Sequence, residues 1–158
     1  MPMPSNGLLS FWSLVPLLVF IGGCSDDDSS ASGAGGPSTS VTQTVGPDGA
    51  TLELDGATVT FPPGALSEPT SITIEATEEK PPEGFTNLSR IYKCAPSGLS
   101  FDPKVTMNME FSPDGKTPTM FWSSGSDPAF ADVGGTVSGG SLKAEVAHFS
   151  RGFVGHNP

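Results

Sequence analysis

Two kinds of apolar patterning divide the chain. Near its start, fourteen residues from Leu8 to Ile21 are almost wholly apolar, with Ser10, Ser13 and Pro16 the exceptions. Beyond residue 45 the apolar positions instead recur at every second residue. Thr51-Leu52-Glu53-Leu54 and Ala57-Thr58-Val59-Thr60-Phe61 alternate on either side of Asp55-Gly56, a dipeptide suited to a two-residue hairpin loop because Gly and Asp tolerate positive φ. Ile72 to Ala76, Val105 to Phe111 and Leu142 to Val146 repeat the alternation. Each run has one apolar and one polar face, as a strand with one side on a core requires. Gly46-Pro47-Asp48-Gly49, Pro62-Pro63-Gly64, Ser112-Pro113-Asp114-Gly115 and Gly134-Gly135 supply turns between them. No helical period of useful length occurs. Eight or so short strands at this spacing predict an all-β fold, an antiparallel β-sandwich.

The first run has a different meaning. It has the length of the apolar region of a secretory signal and falls short of the ~20 residues that a spanning helix needs. It ends in Ile21-Gly22-Gly23-Cys24, which resembles the bacterial lipobox. That resemblance implies cleavage before Cys24 and acylation of its sulfur, with a diacylglycerol and an amide-linked chain holding the protein to a membrane. The n-region departs from the pattern, since residues 1–23 contain neither Lys nor Arg. Ser25, which follows the cysteine where an Asp would signal retention, implies delivery to the outer membrane.

Charge narrows the function classes. The chain of 158 residues carries 7 basic and 17 acidic side chains, for a net charge of −10, and every basic residue lies at or beyond Lys80. This balance excludes nucleic acid as a partner, because phosphates call for a basic footprint. It also repels anionic headgroups, so membrane attachment must come through the lipid on Cys24. From Ser25 to Thr44 the chain is rich in Ser, Gly, Thr and Asp and nearly free of apolar side chains, which predicts a flexible tether with a reach of roughly 25 Å. Four segments are expected: a leader at 1–23, the lipidated cysteine and tether at 24–44, one sandwich domain at 45–155 and a tail at 156–158.

Val59-Thr60-Phe61-Pro62-Pro63-Gly64-Ala65-Leu66, after a Gly-containing hairpin, resembles the signature of the ZU-five domain of ankyrins, netrin receptors and tight-junction scaffolds. Ile91 to Val105, with its Pro96-Ser97-Gly98 turn before Phe101 and Pro103, is similar to that family's second landmark. The resemblance implies a β-sandwich serving as an interaction or structural module, with no enzymatic activity. A third landmark is His148-Phe149-Ser150. Some members cut themselves between Phe and Ser at this tripeptide, which implies His148 as base, Ser150 as nucleophile and the Phe149 carbonyl as target. On a regular strand, however, His148 continues the apolar face of Leu142, Ala144 and Val146, and Phe149 points the other way. His148 and Ser150 then stand roughly 6.5–7 Å apart, too far for a hydrogen bond. Cleavage between Phe149 and Ser150 therefore needs a bulge or kink, and the plainer expectation is a packed terminal strand.

Other candidate chemistry is thin. Phe121 and Trp122 alternate in facing; core packing is the plainer expectation, and the alternative is that one bulky ring reaches the surface as a candidate contact for a glycan or envelope polymer. Asp26, Asp27 and Asp28 are consecutive like charges and read as solvated. Asp48, Asp55, Asp102 and Asp114 fall in turn signals and read as backbone caps. His148 and His156 have no ligand-spaced partners, so neither a metal site nor a cofactor is expected. Asn87-Leu88-Ser89 fits a glycosylation sequon and reads as a surface loop. With Cys24 lipidated, Cys94 reads as a small buried hydrophobe, the alternatives being a bond to Cys24 or to another molecule.

Overall fold

A computed structural model describes residues 39–124 and 129–157, all within one compact unit. The leader, Cys24, the aspartate run and most of the segment read as a tether lie outside the described residues. The elements are β1 (Ser40–Val45), β2 (Ala50–Leu54), β3 (Ala57–Phe61), β4 (Thr70–Thr77), β5 (Thr86–Asn87), β6 (Ile91–Ala95), β7 (Ser100–Glu110), β8 (Thr119–Ser123), β9 (Phe130–Gly134), β10 (Thr136–Ser138), β11 (Ser141–His148) and β12 (Arg151–His156). All pairings are antiparallel. A seven-stranded sheet runs β1-β4-β6-β12-β8-β9, with β5 beside β12, and a five-stranded sheet runs β10-β11-β7-β3-β2. The fold is the antiparallel β-sandwich that the alternation predicts. Among the described residues no helix is long and apolar enough to cross a membrane.

The Asp55-Gly56 hairpin forms as expected. Leu54 pairs with Ala57 across a two-residue loop, and Gly56 takes φ +79°. Leu52, Leu54, Ala57, Val59 and Phe61 turn inward and meet Val105, Met107 and Met109 of β7. Ile72, Ile74, Tyr92, Cys94, Met120, Trp122 and Val154 close the core from the other sheet. Burying such side chains contributes about 1.5–3 kcal/mol each, so this interior is the main source of cohesion.

Three boundaries differ from the sequence reading. β1 begins at Ser40, inside the segment assigned to the tether. Its residues are polar, but Val41 is half-buried, Val45 is buried, and the strand finds a partner in β4 that composition alone does not reveal. At the other end His156 belongs to β12 and is buried, so the tail starts later than position 156. Asp102, assigned to a turn, lies within β7.

A further difference concerns faces. β8 and β12 are buried on both sides, not one. Phe121 and Phe153 stand opposite each other on the outer face of the seven-stranded sheet, and with Ile91 they form a second apolar cluster, covered by Phe85 and Phe130. The ring centroids of Phe85 and Phe121 lie 4.9 Å apart edge-to-face, and those of Phe130 and Phe153 5.1 Å. Gly152 and Gly155 allow this crowding. A Cβ on Gly152 would collide with the Trp122 ring, and one on Gly155 with the Thr86 carbonyl.

Candidate functional site

The His148-Phe149-Ser150 tripeptide sits where the chain passes from one sheet to the other. β11 ends at His148 in the five-stranded sheet, and β12 opens at Arg151 in the seven-stranded sheet. A register shift between Val146 and His148 breaks the alternation just before the crossing. The facing is therefore the reverse of the regular-strand expectation: Phe149 enters the core and His148 is only half-buried. The Phe149 ring packs edge-to-face on Phe101 and Phe61, with centroids at 4.7 and 5.7 Å. Its backbone is fixed on both sides. Phe149 N–H donates to the Leu99 carbonyl, and Gly98 N–H donates to the Phe149 carbonyl, both at 2.8 Å.

The side chains gather around Ser123, a residue that no motif singles out. His148 Nε2 lies 3.1 Å from the Ser123 carbonyl oxygen, and the hydroxyls of Ser123 and Ser150 lie 2.5 Å apart. A carbonyl only accepts, so Nε2 carries the proton in this arrangement and is not the atom to take one from Ser150. Trp122 Nε1–H donates to the His148 carbonyl at 3.0 Å. The register shift precedes His148, whereas cleavage calls for a kink between His148 and Ser150; there the chain leaves one sheet for the other, and Gly98 N–H donates to the target carbonyl. The nucleophile, by contrast, is 4% exposed and bonded to another hydroxyl, and Phe149 is fully buried, which keeps water from an ester formed there.

The proposed glycan platform is corrected. Trp122 is 2% exposed and Phe121 1%, because the sheet is covered on both faces. Trp122 lies in the central core and Phe121 in the outer aromatic cluster. The rings alternate as expected, but neither reaches solvent.

His156 is the second residue that the sequence undervalued. It is buried at the end of β12, with Nε2 2.7 Å from Asp114 Oδ2 and Nδ1 2.9 Å from the Asn157 carbonyl oxygen. Asp114 also accepts from the Lys116 N–H at 3.0 Å, as a turn cap should. That backbone bond first, and His156 second, holds the Asp114 carboxyl below its ordinary value. Cys94 is a free, buried thiol, and desolvation pushes its pKa up to about 12.

A polar cleft of ≈ 580 Å³ opens at the Asp55-Gly56 end of the sandwich. Arg90 bridges Asp55 at 3.5 Å and Glu78 at 3.4 Å, and the Tyr92 hydroxyl donates to the Asp55 carbonyl at 3.1 Å. Burial is the first cause of the raised Tyr92 pKa. Beside it Glu79 pairs with Lys93 at 2.5 Å and Arg151 at 3.8 Å. Exposed pairs of this kind are worth about 0–1 kcal/mol each, so they shape the rim more than they stabilise it. Among the described residues no three His, Cys, Asp or Glu side chains are grouped to hold a metal ion.

The model of the ZU5 domain family matches residues 41–120. The chain belongs to the ZU5 domain family. The match spans β1 through the start of β8 and so includes the Pro62-Pro63-Gly64 and Pro96-Ser97-Gly98 landmarks. Its upper limit falls before Ser123, the His148-Phe149-Ser150 crossing and His156, so it includes Asp114 but not the histidine paired with it. No curated protein sequence matches the chain.

Proposed function

We propose that this ZU5 protein is a lipid-anchored component of a bacterial envelope, presented on the outer membrane as a non-enzymatic interaction or structural module. The observation that carries the reading is the order of two segments: a leader closing on Ile21-Gly22-Gly23-Cys24, then a sandwich whose first strand opens only at Ser40. Acylation at Cys24 supplies attachment that a chain of charge −10 does not find on anionic headgroups. The module's partner is a protein. The module's own surface offers the β1 edge and the polar cleft beside Arg90.

Metabolic labelling with a palmitate analogue tests the anchor. The expected result is a labelled wild-type chain in the membrane fraction and an unlabelled, unprocessed Cys24→Ala variant. A wild-type chain that takes up no label and keeps residues 1–23 removes the proposal.

One observation supports a second reading, self-cleavage between Phe149 and Ser150: the Gly98 N–H bonded to the carbonyl under attack. A cut there would leave residues 150–158 seated in the middle of the seven-stranded sheet, so only a denaturing mass measurement detects it. An intact mass for Cys24 to Pro158 eliminates this reading.

A further inference from the structure

Among the described residues the two sheets run out at β1, β9, β10 and β2, and these end strands are not alike. β9 carries Asp132, which binds Thr119 and the Gly134 N–H, and a register shift interrupts its pairing with β8. β10 is only three residues long, between Gly135 and Gly139. β2 carries exposed Glu53. Short length, charge and bulges are the usual means of keeping a sheet edge from pairing with another chain. β1 has none of them. Ser40-Val41-Thr42-Gln43-Thr44-Val45 holds no charge, proline or glycine, and its six pairings with β4 run without a shift.

The hydrogen-bond phase of β1 follows from one contact. Ala76 N–H donates to the Thr39 carbonyl at 2.7 Å. Thr39 and every second residue after it therefore face β4, and Ser40, Thr42 and Thr44 aim N–H and C=O away from the sheet. Thr42 Oγ1 meets Thr73 Oγ1 at 2.8 Å, as side chains do at a closely spaced pair without ladder bonds.

We infer that β1 pairs antiparallel with β1 of a second copy of this chain, joining two seven-stranded sheets across a two-fold axis at Thr42. The register is self-consistent. Placing Thr42 opposite Thr42 puts Ser40 opposite the second copy's Thr44, so outward-facing residues meet only outward-facing residues. Three such pairs give about six backbone hydrogen bonds. The threonines and valines also suit a pleated surface. A neutral edge is what self-pairing of a molecule of net charge −10 needs, since it brings no like charges face to face. This inference names a partner for the interaction module and rests on that reading, but it does not depend on lipid at Cys24.

The test is oxidative cross-linking of the full chain in bacterial membranes, read on non-reducing gels. Antiparallel hydrogen-bonded pairs hold their Cα atoms about 5.5 Å apart, within disulfide range. Thr42→Cys should give a disulfide dimer several-fold more abundant than Glu53→Cys on β2, with the parent chain as baseline because Cys94 is buried. Detergent-solubilised parent protein should run at twice the mass of Thr42→Lys, whose exposed side chain leaves the fold intact and sets two cations face to face. A parent protein at monomer mass, or equal cross-linking at Thr42 and Glu53, overturns the pairing. Palmitate labelling of the same samples separates the two claims. Labelled protein that does not cross-link loses only the pairing, and unlabelled protein that cross-links loses only the anchor.

Discussion

His148 and His156 stand eight positions apart near the end of the chain, in surroundings that differ in kind. His148 belongs to a chemically suggestive tripeptide, yet its Nε2 donates to the Ser123 carbonyl, and the adjacent Ser150 hydroxyl is bonded to Ser123. His156 belongs to no motif, yet it is buried against a carboxylate 42 residues away in sequence. The first site is a backbone crossing held by neutral hydrogen bonds and aromatic packing. The second is a charged clasp between the last strand and the Asp114 turn. Motifs advertise the first kind of site; only folding assembles the second.

The sharpest way to break this contrast is Phe149→Ala. Emptying a site enclosed by Phe61 and Phe101 should cost about 3–5 kcal/mol, measured by denaturant unfolding. A loss under 1 kcal/mol, on the order of a surface change, would mean that the crossing is not held by packing. Next comes Gly152→Ala, whose methyl would collide with the Trp122 ring; overpacking here should cost about 1–3 kcal/mol, read as a lower Tm.

The clasp should answer to pH where the crossing does not. A carboxyl held below its ordinary value near 3.8 contributes stability above that value and loses it as pH falls through the lower folded value. Asp114→Asn should therefore lower the Tm at neutral pH, and the gap to wild type should narrow on acidification. A gap that stays constant would deny Asp114 its role. The smallest effect belongs to Trp122→Phe, which keeps an aromatic ring and removes the Nε1–H donated to His148. The cost of the bond itself should be about 1 kcal/mol with no pH dependence through the acid range.

Legibility in the sequence followed the reach of each signal. The Asp55-Gly56 hairpin and the inward faces of β3, β4, β7 and β11 were readable, because alternation and turn chemistry act over a few residues. Cys94 was readable as a buried hydrophobe from its spacing to Tyr92. β1 was missed because Thr, Gln and Ser look like linker until β4 pairs with them. Core packing of Phe121 and Trp122 was the plainer expectation, but the alternative of an exposed ring stayed open in the sequence because Phe85 and Phe130 cover the outer face only after folding. Ser123 was silent, since a lone serine gains meaning only when Ser150 and His148 fold against it. The facing of Phe149 turned on the register shift between the Val146–Val105 and His148–Ser100 pairs, an irregularity set by β7 that no pattern within residues 142–150 announces.

The position of β12 has a consequence for how the molecule is made. Residues 151–156 are the mortar between β6 and β8, and without them the larger sheet is two separate slabs, β1-β4-β6 and β8-β9. Residues 151–156 follow the other described strands in sequence, so a ribosome emits them later than the neighbours they join, and the larger sheet cannot close before they arrive.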